Sequence, residues 1–283
     1  SKKIKPNIFT SQYIINSQEE LSYKVERNCY YYPHQIANAL NKFGVLTENP
    51  FVMGSGKSDI LCIDCEYNKD LYISRGLDAR KIRVIGGGFF DYIYKSFLER
   101  ESVKENILEK YQLDNESEIV IIALPQFVEH NELPWREHWE EIHFLLKTLD
   151  ELNKNILISL HPRMDKKNYT FLEHQYDVKI LNERLADVLP IADLFVATYS
   201  GTVMWAAFCG VKSVVVDFYD FNYTMFDFLD SVQIVEMKEN FKRTLVSTLR
   251  SDVDFSRDWK SLSRDDVFDG KVIKRYIELI HNI

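Results

Sequence analysis

Hydrophobic positions in the second half of this chain fall into short unbroken runs, separated by longer stretches where they recur every three or four residues. EIVIIALP (118–125) and NILISLHP (155–162) are continuous apolar runs, as expected for parallel strands buried on both faces. DLFVATYS (193–200) and KSVVVDFY (212–219) are two more, and VKIL (178–181) is a shorter one. SVKENILEKYQL (102–113), REHWEEIHFLLKTLDELN (136–153), RLADVLPIA (184–192) and GTVMWAAFCG (201–210) read as helices, the last ending at Gly210. Strands alternating with helices predict an α/β fold: a doubly wound parallel sheet with right-handed crossovers, taking ligands at the carboxyl ends of its strands.

The first part of the chain has a weaker pattern. KPNIFTSQYIIN (5–16) reads as a strand. PHQIANALNKFG (33–44) reads as a helix with Ile36, Ala39, Leu40 and Phe43 on one face and Gly44 as its C-cap. GSGKSDILCIDCEY (54–67) gives a turn and a strand, EYNKDLYISRG (66–76) a helix, and KIRVIGGG (81–88) a second strand. Residues 58–86 are therefore read as β-α-β.

Composition narrows the function classes. The chain has 283 residues, 46% hydrophobic and 28% charged, enough for one large or two modest domains. Its apolar runs, such as Ile119 to Leu124 and Val214 to Val216, are far too short to span a bilayer. The opening SKKIKPNIFT carries charge without an apolar stretch, so a cytoplasmic protein is expected. The net charge is −8, and no concentrated basic stretch exists that would bind nucleic acid. KVIKRYIELIHNI (271–283) has basic and apolar faces, and a docked terminal helix is its expected form. The four cysteines, Cys29, Cys62, Cys65 and Cys209, are too scattered for a disulfide scaffold. Cys62 and Cys65 form a lone CxxC inside a strand pattern, which points to packing rather than to zinc or redox chemistry.

Candidate chemistry gathers at strand ends. NILISL delivers His161-Pro162-Arg163, where the proline stops the strand and holds the chain extended. The strand at 193–198 ends in Ala197-Thr198-Tyr199-Ser200-Gly201-Thr202 and enters a helix. Hydroxyls, a glycine and a helix N-terminus are together suited to phosphate, although Ser200 or Thr198 as a simple helix cap explains the same residues. If these two strands are neighbours, His161 and the Ser200–Thr202 turn share a site. Gln126, Glu129 and His130 follow the strand at 118–124 at the same edge, where a polar loop is the plain alternative.

Other patterns fail. Gly54-Ser55-Gly56-Lys57-Ser58 ends like a phosphate loop but has Phe51 where the first glycine belongs, and it precedes a strand. Gly86-Gly87-Gly88 lacks the GxGxxG spacing and reads as a flexible connection. His138 and His143 are five apart, off a common helical face, which excludes HExxH metal chemistry. Asp252-Val253-Asp254 reads as a loop. No metal site and no resident cofactor are expected.

At HPR (161–163) and YSGT (199–202), with the strand and helix order around them, the sequence resembles the C-terminal domain of GT-B glycosyltransferases. It is most similar to the sialyltransferases, polysialyltransferases and Kdo transferases that build bacterial surface polysaccharides. Those families carry a His-Pro motif and a Ser/Thr-rich turn opening a helix, and both contact the donor, usually a CMP-sugar. The resemblance implies that His161 contacts the donor phosphate as the catalytic residue. Pro162, Arg163, Thr198, Gly201, Gln126 and Glu129 would line the donor site, and Ser200 and Thr202 would hold phosphate or ribose. Many relatives have paired serines where this chain has Ser-Gly-Thr, which leaves the roles of the two hydroxyls open.

The segment 54–91 also resembles the end of a GT-B N-terminal domain and its crossing into the second. The implied organisation is an acceptor-side α/β domain at 1–90, smaller than usual or incomplete, a nucleotide-sugar-binding domain at 91–270 and a C-terminal helix at 271–283. Glu66 and Asp91 are candidates for the base by location only. The implied function is metal-independent transfer of a sugar from a nucleotide-sugar donor to a glycan acceptor, compatible with peripheral membrane or partner-subunit association. Three rivals stand beside it: a UDP-sugar 2-epimerase of the same fold, a non-catalytic nucleotide-sugar-binding subunit, and a structural α/β domain without a ligand.

Overall fold

The computed structural model describes residues 59–282 apart from 75, 131, 199 and 220–224, together with 42 and 43. The strand expected at 5–16, nearly all of the helix expected at 33–44, and the Gly54–Ser58 turn lie outside the described residues. The chain divides into two compact units, one formed by residues 1–88, 261–267 and 271–283, the other by 89–260 and 268–270.

In the first unit, strand β1 (Leu61–Ile63), helix α1 (Glu66–Ser74) and strand β2 (Ile82–Val84) make a parallel β-α-β unit, with Leu61 opposite Ile82 and Ile63 opposite Val84. Ile63, Tyr72, Leu77 and Ile82 form its buried cluster. Burial raises the thiol pKa of Cys62 and of Cys65, the latter strongly, and both are free thiols, which makes them packing residues. Gly86 corrects the expectation of a flexible glycine run. It is buried at φ +96°, and a Cβ there would sit 2.6 Å from Val272 Cγ2 and 3.0 Å from the Val267 carbonyl oxygen. Only glycine allows both that backbone and that approach. Val272 opens the C-terminal helix Val272–His281, whose Arg275 Nε donates to the Ile85 carbonyl at 3.0 Å.

The second unit begins with helices α2 (Phe90–Leu98) and α3 (Arg100–Tyr111). Strand β3 (Ile119–Ala123), helix α4 (Trp135–Asp150), and strands β4 (Asn155–Ser159) and β5 (Val178–Ile180) follow. Helix α5 (Leu185–Val188), strand β6 (Leu194–Ala197), helix α6 (Thr202–Cys209), strands β7 (Lys212–Val216) and β8 (Val232–Val235), and helix α7 (Lys238–Arg250) complete the alternation. The six strands β3 to β8 form one wholly parallel sheet in the order β5-β4-β3-β6-β7-β8.

Both faces of that sheet are covered, as the unbroken apolar runs require. Val120, Ile122, Ile156, Ile158, Val196 and Val214 share a core with Ile142 and Leu146 of α4 and Phe241 and Leu245 of α7. Ile121, Leu157, Phe195 and Val215, which point the other way, are equally buried. The sheet is therefore doubly wound. Its strand order reverses between β3 and β6, where a doubly wound sheet opens its ligand crevice at the carboxyl edge.

Candidate functional site

The expectation that the His161 strand and the Ser200 strand are neighbours is corrected by the sheet order. β4 and β6 are separated by β3, which pairs with both. The loop after β3 therefore stands between the two motifs, and Gln126 and Glu129 occupy the middle of the carboxyl edge.

That loop starts from buried Leu124 and Pro125 and closes in one helical turn, with His130 N–H donating to the Gln126 carbonyl at 3.0 Å. Phe127 anchors it, buried against Tyr219 at 4.7 Å between ring centroids. Gln126 and Glu129, three residues apart, share a side of the turn. Gln126 Oε1 and Glu129 Oε2 are both withdrawn from solvent without a hydrogen-bond partner among the described residues. The other carboxylate oxygen, Glu129 Oε1, accepts from the Tyr169 hydroxyl at 3.3 Å. Tyr169 in turn meets Nε2 of His138 at 3.0 Å, and both residues are fully buried.

At the end of β4, His161, Pro162 and Arg163 are exposed. The turn is tied by Met164 N–H donating to the His161 carbonyl at 2.8 Å, with the Met164 side chain buried below. The Arg163 backbone N–H donates to His161 Nδ1 at 3.1 Å. A nitrogen that accepts carries no proton, so a neutral His161 bears its proton on Nε2. Its pKa is lowered by partial burial first, then by the charges of Arg163 and His130, while Glu129 opposes the shift. The loops after β3 and β4 are thus electrically coupled.

At the end of β6, Thr198 is buried and Ser200, Gly201 and Thr202 are half-buried. Tyr199 lies outside the described residues. Ser200 Oγ and Thr202 Oγ1 are 2.7 Å apart in one hydrogen bond. The amides at the start of α6 are already paired: Thr202 N–H with Ser200 Oγ at 3.3 Å, Val203 N–H with the Ser200 carbonyl and Met204 N–H with the Gly201 carbonyl, each at 3.2 Å. This turn offers a ligand two hydroxyls and the positive end of a helix dipole, rather than a row of free N–H groups.

The candidate bases have other surroundings. Glu66 opens α1 in the first unit, where Lys69 Nζ donates to its carboxylate at 2.7 Å. Asp91 lies in the first turn of α2 in the second unit. Neither His138 nor His143 is a ligand in waiting: His138 is engaged by Tyr169, and His143 Nδ1 lies 3.0 Å from the Tyr176 hydroxyl. Among the described residues no group of three or more His, Cys, Asp and Glu is placed to hold a metal ion. Asp254 is in a loop and accepts from Ser256 N–H at 2.9 Å, capping the next helix. No described helix is long and apolar enough to cross a membrane. Tyr169 and His138 join this site without a sequence signal, since they come from separate segments and reach Glu129 only through the fold.

No protein-family model matches this sequence, and no curated protein does. Solved structures do resemble it. The UDP-GlcNAc 2-epimerase of Methanocaldococcus jannaschii, in complex with UDP-GlcNAc and UDP, aligns at a TM-score of 0.57 and 15% identity over 95% of this chain and 83% of that one. The UDP-GlcNAc 2-epimerase of Neisseria meningitidis, bound to UDP-GlcNAc, aligns at 0.54 and 12% over 96% and 84%. The wall teichoic acid polymerase TagF, an H444N variant soaked with CDPG, aligns at 0.54 and 15% over 79% of this chain. This chain spans only 56% of that polymerase. These are GT-B-fold proteins, and the parallel-sheet α/β fold described above is theirs.

Proposed function

We propose that this chain is a GT-B glycosyltransferase that moves a sugar from a nucleotide-sugar donor, with a CMP-sugar favoured, to a glycan acceptor in surface polysaccharide synthesis. The observation that carries the reading is the edge at the switch point, where His161, the Gln126–Glu129 turn and the Ser200–Thr202 hydroxyls stand at the ends of three adjacent strands. Negative charge develops on the departing phosphate during sugar transfer. An Nε2–H donor, two hydroxyls and a helix N-terminus stabilise such charge without a metal, and Arg163 adds a cation. His161 is the residue assigned to that phosphate. The His-Pro and Ser-Gly-Thr motifs favour the polysaccharide transferases and, through them, CMP.

A second reading is a UDP-sugar 2-epimerase. It is favoured by one observation: two such epimerases align over 95% and 96% of this chain, the polymerase over 79%. The test is a thermal-shift screen with CMP, UDP, GDP and CDP, followed by product analysis with and without a glycan acceptor. A ligand that binds only the native state raises its melting temperature. Stabilisation by CMP and product only with acceptor is the expected result. Stabilisation by UDP alone, with sugar conversion in the absence of acceptor, would replace the transferase by the epimerase. No shift with any nucleotide would leave a structural α/β domain.

A further inference from the structure

We infer that Gln126 Oε1 and Glu129 Oε2 form a polyol subsite, two acceptors that take the hydroxyl protons of a sugar ring. Tyr169 and His138 act as positioning residues that hold the Glu129 carboxylate in place. The inference rests on the reading of this edge as a nucleotide-sugar site and names which part of the ligand the central loop binds.

A carboxylate only accepts, so the single proton of the Tyr169 hydroxyl goes to Glu129 Oε1. The Tyr169 oxygen must then accept from His138, which fixes the proton of that imidazole on Nε2. The other His138 nitrogen, Nδ1, is buried without a partner and in this tautomer is an acceptor that carries no proton. The result is a one-way chain, His138 Nε2–H to Tyr169 O–H to Glu129 Oε1. Phe127, Trp135, Trp139 and Tyr169 rings surround His138 and keep it from turning.

The chain holds one carboxylate oxygen and leaves the other, Glu129 Oε2, unpaired, and Gln126 Oε1, three residues earlier in the same turn, is a second unpaired acceptor. Native proteins pair nearly all buried polar atoms, and an unpaired one calls for a reason such as a catalytic role or a bound species. Two acceptors call for a ligand with two donors. Neither a phosphate nor a second carboxylate offers them, whereas a vicinal diol does. Both the ribose of a nucleotide and the sugar of a donor carry such hydroxyls, and both lie next to the phosphates that His161 and the Ser200–Thr202 turn would hold.

The experiment uses the full chain and isothermal titration with two arms. The first compares CMP, CDP, UDP and GDP with their 2′,3′-dideoxy counterparts. The second compares UDP-GlcNAc with UDP, and CMP-N-acetylneuraminic acid with CMP. In the wild type, the hydroxyl-bearing member of a pair should bind about tenfold more tightly in one arm, and that arm identifies the ring. Glu129→Ala should bring the two members together by weakening the hydroxyl-bearing member more than the hydroxyl-poor one. Tyr169→Phe should narrow the gap a few-fold by the same route, an effect that a merely structural tyrosine would not produce. Equal affinities in both arms for the wild type would overturn the subsite while the nucleotide reading stands, and that comparison needs no variant to fold. Glu129→Ala weakening both members alike would also overturn it. Failure of every nucleotide to bind the wild type would remove the subsite together with the site it belongs to.

Discussion

His161 and His138 are two histidines of one unit with opposite surroundings, one exposed and one buried. His161 is exposed, pinned through Nδ1, and its pKa is lowered by partial burial and by Arg163 and His130. A phosphate near Nε2 would raise that pKa again, so binding takes up a proton. Nucleotide affinity should then increase as the pH falls from about 8 toward 6, into the region of an ordinary histidine pKa. His161→Gln should flatten this dependence, and a mutant with the wild-type slope would remove His161 from the phosphate. His161→Ala should lower turnover by about a hundredfold, the lower end for a lost proton-transfer group, with an unchanged melting temperature. His138 is wholly buried, and burial lowers its pKa. The unfolded chain then binds more protons than the native one just below the ordinary histidine value. Stability is therefore complete above that value and declines as the pH falls through it toward the lower native value. Hydrogen bonds from Lys154 and Lys242 lower the pKa values of Glu118 and Glu151, and those from Lys110 and Tyr111 outweigh burial to lower that of Glu183, so these carboxylates act at lower pH. Melting temperatures should drop between about pH 7 and 5, and less so for His138→Gln. Equal drops for both proteins would contradict the assignment.

At the scale of elements, α6 joins a start that carries the Ser200–Thr202 hydroxyl pair to a stapled end. It stops at Gly210, in the left-handed region at φ +74°, where Trp259 Cζ2 would stand 3.2 Å from an added Cβ. Trp259 Nε1 also donates to the Ala207 carbonyl at 3.0 Å, which accepts from the Gly210 N–H at 3.1 Å as well. Since the Thr202 amide is already paired with Ser200 Oγ, the two hydroxyls are the groups a phosphate would use. Ser200→Ala with Thr202→Val should weaken nucleotide binding by about tenfold, the loss of one or two hydrogen bonds to a charged ligand. Calorimetry on the double mutant tests this, and wild-type affinity would move the phosphate elsewhere.

For the molecule as a whole, the second unit contains every residue of the proposed donor site. His161, Gln126, Glu129 and the Ser200–Thr202 turn all belong to residues 89–260, as does the sheet that aligns them. A doubly wound sheet forms its crevice within itself. A fragment of residues 89–270, which keeps Phe268 against Phe90 and Phe208, should therefore fold and bind the nucleotide that stabilises the full chain. A folded fragment that ignores that nucleotide would show that the first unit supplies part of the site.

The strands β3, β4, β6 and β7 were legible because a sheet covered on both faces demands unbroken apolar runs, and Ile119–Ala123 or Lys212–Val216 can hardly be read otherwise. The same pattern announced the parallel, doubly wound class and placed His161, Gln126 and Ser200 at strand ends. Elements with mixed signals were not read. The helix at Phe90–Leu98 follows three glycines that looked like a connection, and β8 is a four-residue edge strand with a glutamine in it. Buried strands of like composition carry no label of order, so only the tertiary structure put β3 between β4 and β6 and moved the Gln126–Glu129 turn to the centre of the edge. Likewise, the chain from His138 through Tyr169 to Glu129 joins positions 31 and 40 residues apart. Hydrogen bonds between such distant positions depend on where the folded backbone places them, and local periodicity does not encode that.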